Sequence, residues 1–230
     1  MTKASEFKNG CLQELPLQLG VFPFGIAYGI LGIEVGLTNI QTFLLSIIIF
    51  AGVSQIVFTQ LFYTFTPNFL IVGTIGIVNL RHILYGVSLS SYLKKLSLKW
   101  RIILSYLITD EAFAISYKRF SEGKKTKYMH FHLLGSGITL WTSWQISTLI
   151  GIYIGPSIPN SLNLEYVIPL SFIAVVVVSI NTKIKLIVFI MSALLSILLK
   201  DLPWNLWIIT SALMSIIIGV LISNFRKAIK

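Results

Sequence analysis

An arginine, a histidine and a tyrosine stand together in Asn79-Leu80-Arg81-His82-Ile83-Leu84-Tyr85, at the middle of an apolar stretch running from Phe69 to Leu93. A second polar interruption, Thr109-Asp110-Glu111, lies inside the next apolar stretch, Ile102 to Tyr117. A charged side chain at the centre of a membrane segment costs about 2.5 to 3.5 kcal/mol on insertion scales, so such groups face a partner or a water-filled path. On a helix Arg81 and Tyr85 share one face, and His82 and Tyr85 are neighbours. A guanidinium and a phenol aimed into one cavity can hold a carboxylate through paired hydrogen bonds. His82 is either a packed helix residue or a proton carrier, since imidazole is the side chain that titrates near neutral pH. Asp110 and Glu111 are adjacent and point about 100° apart on a helix, so only one of them can meet Arg81. Asp110 is assigned the inward place, and Glu111 is left to solvent, a substrate ammonium or a backbone group. One fixed cation, two carboxylates and an imidazole within a membrane are suited to binding a small zwitterion. The structural alternative is an ion pair of Arg81 with Asp110 or Glu111 that neutralises buried charge and fixes helix packing.

Other polar or small residues interrupt the remaining apolar stretches. Ala51-Gly52-Val53-Ser54-Gln55 lies near the centre of one; small residues let helices approach closely, and the Gln55 amide needs a partner there. This block is read either as helix packing or as part of a binding site that includes Ser54 and Gln55. Phe22-Pro23-Phe24-Gly25 is expected to open or kink its helix and free backbone carbonyls. Trp141, Trp144 and Gln145 share a helix face at mid-segment, where they fill volume or wall an apolar side-chain pocket. Trp204 and Trp207 read as anchors at a membrane interface.

These residues must be positioned by membrane helices. The 230 residues are 55% apolar and 11% charged, with a mean hydropathy of +0.85, whereas a soluble domain carries about 25% charged residues. Apolar segments long enough to span, about 20 residues each, recur throughout: 15–33, 41–63, 69–93, 102–117, 131–155, 162–180, 186–199 and 204–222. The expected fold is an all-α polytopic membrane bundle of seven to eight hydrophobic segments, forming one transmembrane permease domain over 1–230. Segments four and seven are short and read as tilted, re-entrant or partly covered by protein. The single cysteine, Cys11, allows no internal disulfide. The polar first ten residues, with no short apolar run and small-residue cleavage site behind them, predict no cleaved signal peptide.

The net charge of +10 reflects membrane topology rather than a nucleic-acid partner. Lys and Arg cluster at Lys3 and Lys8, Lys94 to Arg101, Lys118 to Lys127, Lys183 and Lys185, and Arg226 to Lys230, while the loops at 34–40, 64–68 and 156–161 have none. The positive-inside rule then places the N-terminus, the loops at 118–130 and 181–185 and the C-terminus in the cytoplasm. Eight ordinary spans leave the basic loop Lys94–Arg101 outside. That conflict disappears if segments 69–93 and 102–117 are broken or re-entrant, turning at Asn79–Gly86 and at Thr109–Glu111; half-helix ends at the midplane are common substrate sites. Both arrangements remain open at this stage.

The blocks Phe50-Ala51-Gly52-Val53-Ser54-Gln55, Asn79-Leu80-Arg81-His82-Ile83-Leu84-Tyr85-Gly86-Val87-Ser88-Leu89 and Leu107-Ile108-Thr109-Asp110-Glu111-Ala112-Phe113-Ala114 resemble those of the AzlC family of branched-chain amino acid exporters. So do Leu15-Pro16, Phe24-Gly25, Trp141-Thr142-Ser143-Trp144 and Ile168-Pro169, and the resemblance covers nearly the whole chain. It implies a multi-pass permease of the bacterial cytoplasmic (inner) membrane that exports leucine, isoleucine, valine or close analogues, working with a small AzlD-type membrane protein. An acidic residue can occur where this chain has Asn79, so Asn79 joins the candidate substrate or proton site. The expectation is proton-coupled export, with Arg81 and Tyr85 on the substrate carboxylate and Asp110 or Glu111 on its ammonium. The apolar side chain falls to segments two and five, through Ser54, Gln55, Trp144 and Gln145. A passive facilitator for zwitterions and the permease subunit of an ATP-driven amino acid transporter are the alternatives. No GxxxxGK phosphate loop and no HExxH motif is present, so no enzyme activity, cofactor or metal is expected.

Overall fold

The computed structural model describes residues 2–122, 126–157, 180 and 182–228. Every regular element among them is helical. Three are long and apolar enough to cross a membrane, Lys3–Glu34, Asn68–Leu93 and Leu206–Ser223, with Asn39–Ile48 a shorter apolar helix. The segment predicted at 162–180, including Ile168-Pro169, lies outside the described residues apart from Ile180. The chain divides into two units, Met1–Gln60 with Val78–Leu162, and Leu61–Ile77 with Asn163–Lys230.

The first unit is organised on two long helical rods. One consists of α1 (Lys3–Glu14), a 3₁₀ turn at Leu15–Leu17 and α2 (Gln18–Glu34); the other is α8 (His130–Ile154). They meet through glycine. A Cβ built on Gly10 would lie 2.1 Å from the His132 carbonyl oxygen, and one on Gly135 2.2 Å from that of Phe7. Further along, a Cβ on Gly29 would lie 2.3 Å from the Thr148 carbonyl oxygen, and one on Gly151 2.2 Å from that of Ile26. Only residues without a Cβ permit this approach, which is how membrane helices gain packing energy where no hydrophobic drive exists between them. The contacts climb together along both rods, so the two run parallel. Residue 3 and residue 130 therefore lie at the same end, and Lys3 Nζ sits 5.5 Å from the Tyr128 ring centroid.

Between the rods in sequence come α3 (Asn39–Ile48), α4 (Gly52–Tyr63), α5 (Asn68–Leu93), α6 (Leu98–Tyr106) and α7 (Asp110–Glu122). The interruption predicted at Thr109–Glu111 is present: α6 stops at Tyr106, and α7 starts at Asp110. The one expected at Asn79–Gly86 is not; α5 runs unbroken through it. The reason is local. Asn79 and Arg81 find side-chain partners on α4 and α7, so the backbone need not open, and a mid-helix glycine costs only about 1 kcal/mol. The re-entrant form of segment 69–93 is therefore corrected to a continuous helix. Segment 41–63 is instead interrupted, at Ile49–Ala51 between α3 and α4. At Phe22–Gly25 the helix is continuous rather than open. The helix passes through Pro23, which forfeits only the bond to the Leu19 carbonyl, and the tighter 3₁₀ geometry falls earlier, around Pro16.

The second unit contains a hairpin of α9 (Lys183–Leu198) and α10 (Leu206–Ala228), turning through Pro203–Asn205 with Trp204 at φ 55°. Ser196 and Ser211 hydroxyls bond across it at 3.1 Å, and Gly219 allows close approach to Val188. Trp204 is exposed at the turn, where a membrane interface anchor belongs.

Candidate functional site

The two interrupted helices of the first unit face each other at their broken ends. Breaking α3 orphans its last carbonyls, since the four C-terminal C=O groups of a helix have no partner within it. Side chains take them up. Gln55 Nε2 donates to the Ile49 carbonyl at 2.7 Å and to that of Leu45 at 3.4 Å, and Gln145 Nε2 donates to that of Ser46 at 3.3 Å. Tyr106, the last residue of α6, donates its hydroxyl to the Ile47 carbonyl at 2.5 Å and accepts from Trp141 Nε1 at 2.9 Å. The carboxyl end of α6 is thereby tied to the carboxyl end of α3. Gln55 and Trp144 are buried, as is Gln145, yet Gln55 Oε1, Gln145 Oε1 and Trp144 Nε1 lack hydrogen-bond partners in the structure. Trp144 lies over Gly52, stacked on Tyr28 at 6.2 Å and tilted against Phe24 at 5.8 Å.

At the other break, Thr109 Oγ1 accepts from the Ala112 amide at 3.4 Å and so caps α7. Asp110 and Glu111 then occupy the first turn, where the positive end of the helix dipole favours carboxylates. Asp110 receives Arg81 Nη1 at 2.6 Å on one oxygen and the Tyr85 hydroxyl on the other. Tyr85 is held in place by Phe113, stacked at 4.4 Å, with His82 edge-on at 5.8 Å. Arg81 Nε is buried without a partner, so the guanidinium still has a donor to give. Ser54 Oγ donates to Asn79 Oδ1 at 2.7 Å, joining α4 to α5 two residues before Arg81.

Arg81, Tyr85 and Asp110 thus converge on one ion pair, with His82 against it and Ser54–Asn79 beside it along α5. Gln55, Trp144 and Gln145 gather at the α3–α4 break. Glu111 bonds Thr109 and does not reach Arg81 at ion-pair distance. Sequence reasoning missed Tyr106, Tyr28 and Phe113. Tyr106 carried a signal: it lies three residues before the predicted break, where a helix end needs a donor. Among the described residues no group of His, Cys, Asp and Glu is placed to hold a metal ion.

The comparisons with known proteins fit this arrangement. The family model described as AzlC protein matches residues 16–158, a range that contains both breaks, the Arg81–Asp110 pair and α8. The chain is similar to the inner membrane protein YgaZ of Escherichia coli, 27% identical over 66% of this chain and 62% of that protein. It is 28% identical to an uncharacterized membrane protein of Archaeoglobus fulgidus, over 69% of this chain and 67% of the relative. The branched-chain amino acid transport protein AzlC of Bacillus subtilis is 31% identical over 48% of this chain and 43% of its own length. The match to the Escherichia coli relative thus spans somewhat under two thirds of that protein. No solved structure matches. On the strength of the family model and its coverage, the chain belongs to the AzlC family of membrane proteins.

Proposed function

We propose that the chain is the large subunit of a secondary transporter that exports branched-chain, aliphatic amino acids across the bacterial cytoplasmic membrane, coupled to proton entry. A small AzlD-type membrane protein is its partner. The observation that carries the reading is the Asp110 carboxylate, held by both the Arg81 guanidinium and the Tyr85 hydroxyl at a helix break. A zwitterion is the ligand that can open such a pair without leaving a bare charge. Its carboxylate takes over Arg81 and Tyr85, and the released Asp110 receives its ammonium. The open Arg81 Nε donor supports a second contact to the incoming carboxylate. The aliphatic side chain extends toward α4 and α8, where Trp144 covers Gly52.

A proton moving down 100 mV releases about 2.3 kcal/mol, and a tenfold concentration ratio costs about 1.4 kcal/mol. One proton per neutral amino acid therefore sustains a gradient of roughly fifty-fold. Seven to eight membrane segments accommodate the described helices. The termini and the loop at 118–130 face the cytoplasm in this reading; for the N-terminus and that loop it is supported by the parallel rods, which bring Lys3 beside Tyr128.

The test is efflux of labelled leucine from proteoliposomes holding the chain with and without its small partner, under an imposed proton gradient, for wild type and Arg81→Ala. Gradient-dependent efflux that the substitution abolishes, with protein still inserted, is the expected result. Efflux indifferent to both reduces Arg81–Asp110 to a structural pair and favours a passive facilitator.

A further inference from the structure

One buried carboxyl belongs to neither break. Glu14 ends α1 and is fully buried, in the seam where α1 packs on α8. Its Oε2 receives the Ser136 hydroxyl at 2.5 Å and its Oε1 receives Gln18 Nε2 at 3.1 Å. Both partners are neutral, and among the described residues no Lys, Arg or His nitrogen pairs with it. The cations on the helices around it, Lys3 and Lys8 on α1 and Lys118 and Arg119 on α7, make no ion pair with it. On its own helix Glu6 is engaged by Arg119; on α7 Asp110 is engaged by Arg81, leaving the Glu111 carboxyl. On α8, His132 lies one turn before Ser136 with its ring between Gln13 and Ser116. An ionised carboxylate so placed would carry an unpaired charge away from water, a cost proteins avoid by holding the proton.

The Gln18 amide is also incomplete. Among the described residues its Oε1 is buried without a partner, while its Nε2 donates to Glu14 Oε1 at 3.1 Å and to the Glu14 carbonyl oxygen at 3.4 Å. Turning the amide over would present that oxygen to a Glu14 hydroxyl; returning it would present Nε2 to a carboxylate. Both protonation states of Glu14 are therefore provided for by one side chain.

We propose that Glu14 is a proton-binding site of the transporter: its carboxyl holds a proton when the Gln18 amide turns its Oε1 to it, and gives the proton up, with Nε2 turned back as in this conformation, when water reaches it between α1 and α8. On release the O–H bond breaks, the proton passes to water admitted to the seam, and the carboxylate that remains is held by Ser136 and Gln18 Nε2. As the coupling group, Glu14 rests on the proton-coupled reading above; as a site that binds a proton, it does not.

The chain with its small partner in proteoliposomes serves for both readouts, in wild type, Glu14→Gln and Ser136→Ala. Infrared difference spectra of wild type against Glu14→Gln at neutral pH are expected to show one protonated-carboxyl carbonyl band that the substitution removes. Ser136→Ala, which loses a donor to the ionised form, shifts the titration of that band upward by about one pH unit. Leucine counterflow in Glu14→Gln stays within about twofold of wild type, while stimulation of efflux by a proton gradient is lost. Absence of the band overturns the site. A band with gradient stimulation intact in Glu14→Gln overturns its coupling role. Wild-type transport that ignores the gradient refutes the coupled reading of the protein, and the band then still decides whether Glu14 holds a proton.

Discussion

If substrate enters by replacing Asp110 at Arg81, then removing the Asp110 charge must help one class of ligand and harm another. The Asp110→Asn protein keeps the shape of the α7 first turn but withdraws the anion that Arg81 Nη1 meets at 2.6 Å. The Arg81 side chain is 27% exposed and that of Asp110 41%, so the pair lies between a surface ion pair, worth up to about 1 kcal/mol, and a buried one, whose breaking costs about 3 to 5 kcal/mol. About 2 kcal/mol is a fair middle value, and wild-type protein must forgo it each time a ligand carboxylate takes Arg81. In Asp110→Asn that competition is gone, so 4-methylpentanoate, which is leucine without its amine, binds about thirty-fold more tightly than to wild type. Leucine gains the same relief but loses the anion facing its ammonium, so it binds no better and the ratio of the two affinities inverts. Titration calorimetry on the detergent-solubilised protein with its partner, using both ligands, measures the two numbers directly. Equal changes for leucine and 4-methylpentanoate would refute the exchange of partners at Arg81, because that exchange is the only step that tells the ligands apart.

Two further outcomes concern the frame that holds the site. Gly29→Ala places a methyl where the Thr148 carbonyl oxygen lies 2.3 Å away; backbone cannot yield as a side chain does, so α2 and α8 separate and stability falls by about 1 to 3 kcal/mol, read as a lower Tm in detergent. Glu6→Gln removes the fully buried carboxylate that Arg119 Nη2 meets at 2.6 Å and lowers stability by about 3 kcal/mol, read as a lower Tm; a double-mutant cycle with Arg119→Met on Tm gives the coupling between the two side chains.

The chemistry was more legible than the architecture. Arg81, Tyr85 and Asp110 could be paired from sequence because a charge at membrane depth demands a partner, and few candidates exist in a chain that is 11% charged. The break before Asp110 was legible only as one of two arrangements, the re-entrant one that brings the basic loop Lys94–Arg101 to the cytoplasmic side by turning at Thr109–Glu111. The unbroken α5 was not. Its polar residues bond across to other helices, and sequence spacing does not tell a side chain satisfied by a neighbour from one that needs an open backbone. The α3–α4 break was missed because Ile49, Phe50 and Ala51 are apolar, and the groups that make it tolerable, Gln55, Gln145 and Tyr106, come from three different helices. Parallel packing of the first and fifth segments was half visible: both begin beside basic clusters, which the positive-inside rule puts on one side. The glycines that seat them are scattered singly in sequence and acquire meaning only in pairs.

The two breaks constrain each other, and this bears on how the site can move. Tyr106 holds the Ile47 carbonyl while standing three residues before Thr109, so a shift of α6 that uncovers the end of α3 also drags the start of α7, where Asp110 sits. At the end of α3 the Ser46 and Ile47 carbonyls are taken by side chains, Gln145 and Tyr106, and such bonds can be exchanged for water or ligand groups without unwinding a helix. Arg81 rides instead on α5, which is continuous through it. The ion pair therefore joins a movable half-helix to a rigid one. Displacement of Asp110 by substrate would free the half-helix and leave Arg81, with the bound carboxylate, where it was. A transporter built this way needs no hinge in α5, and its moving parts are the short pieces on either side of residues 49–51 and 107–109.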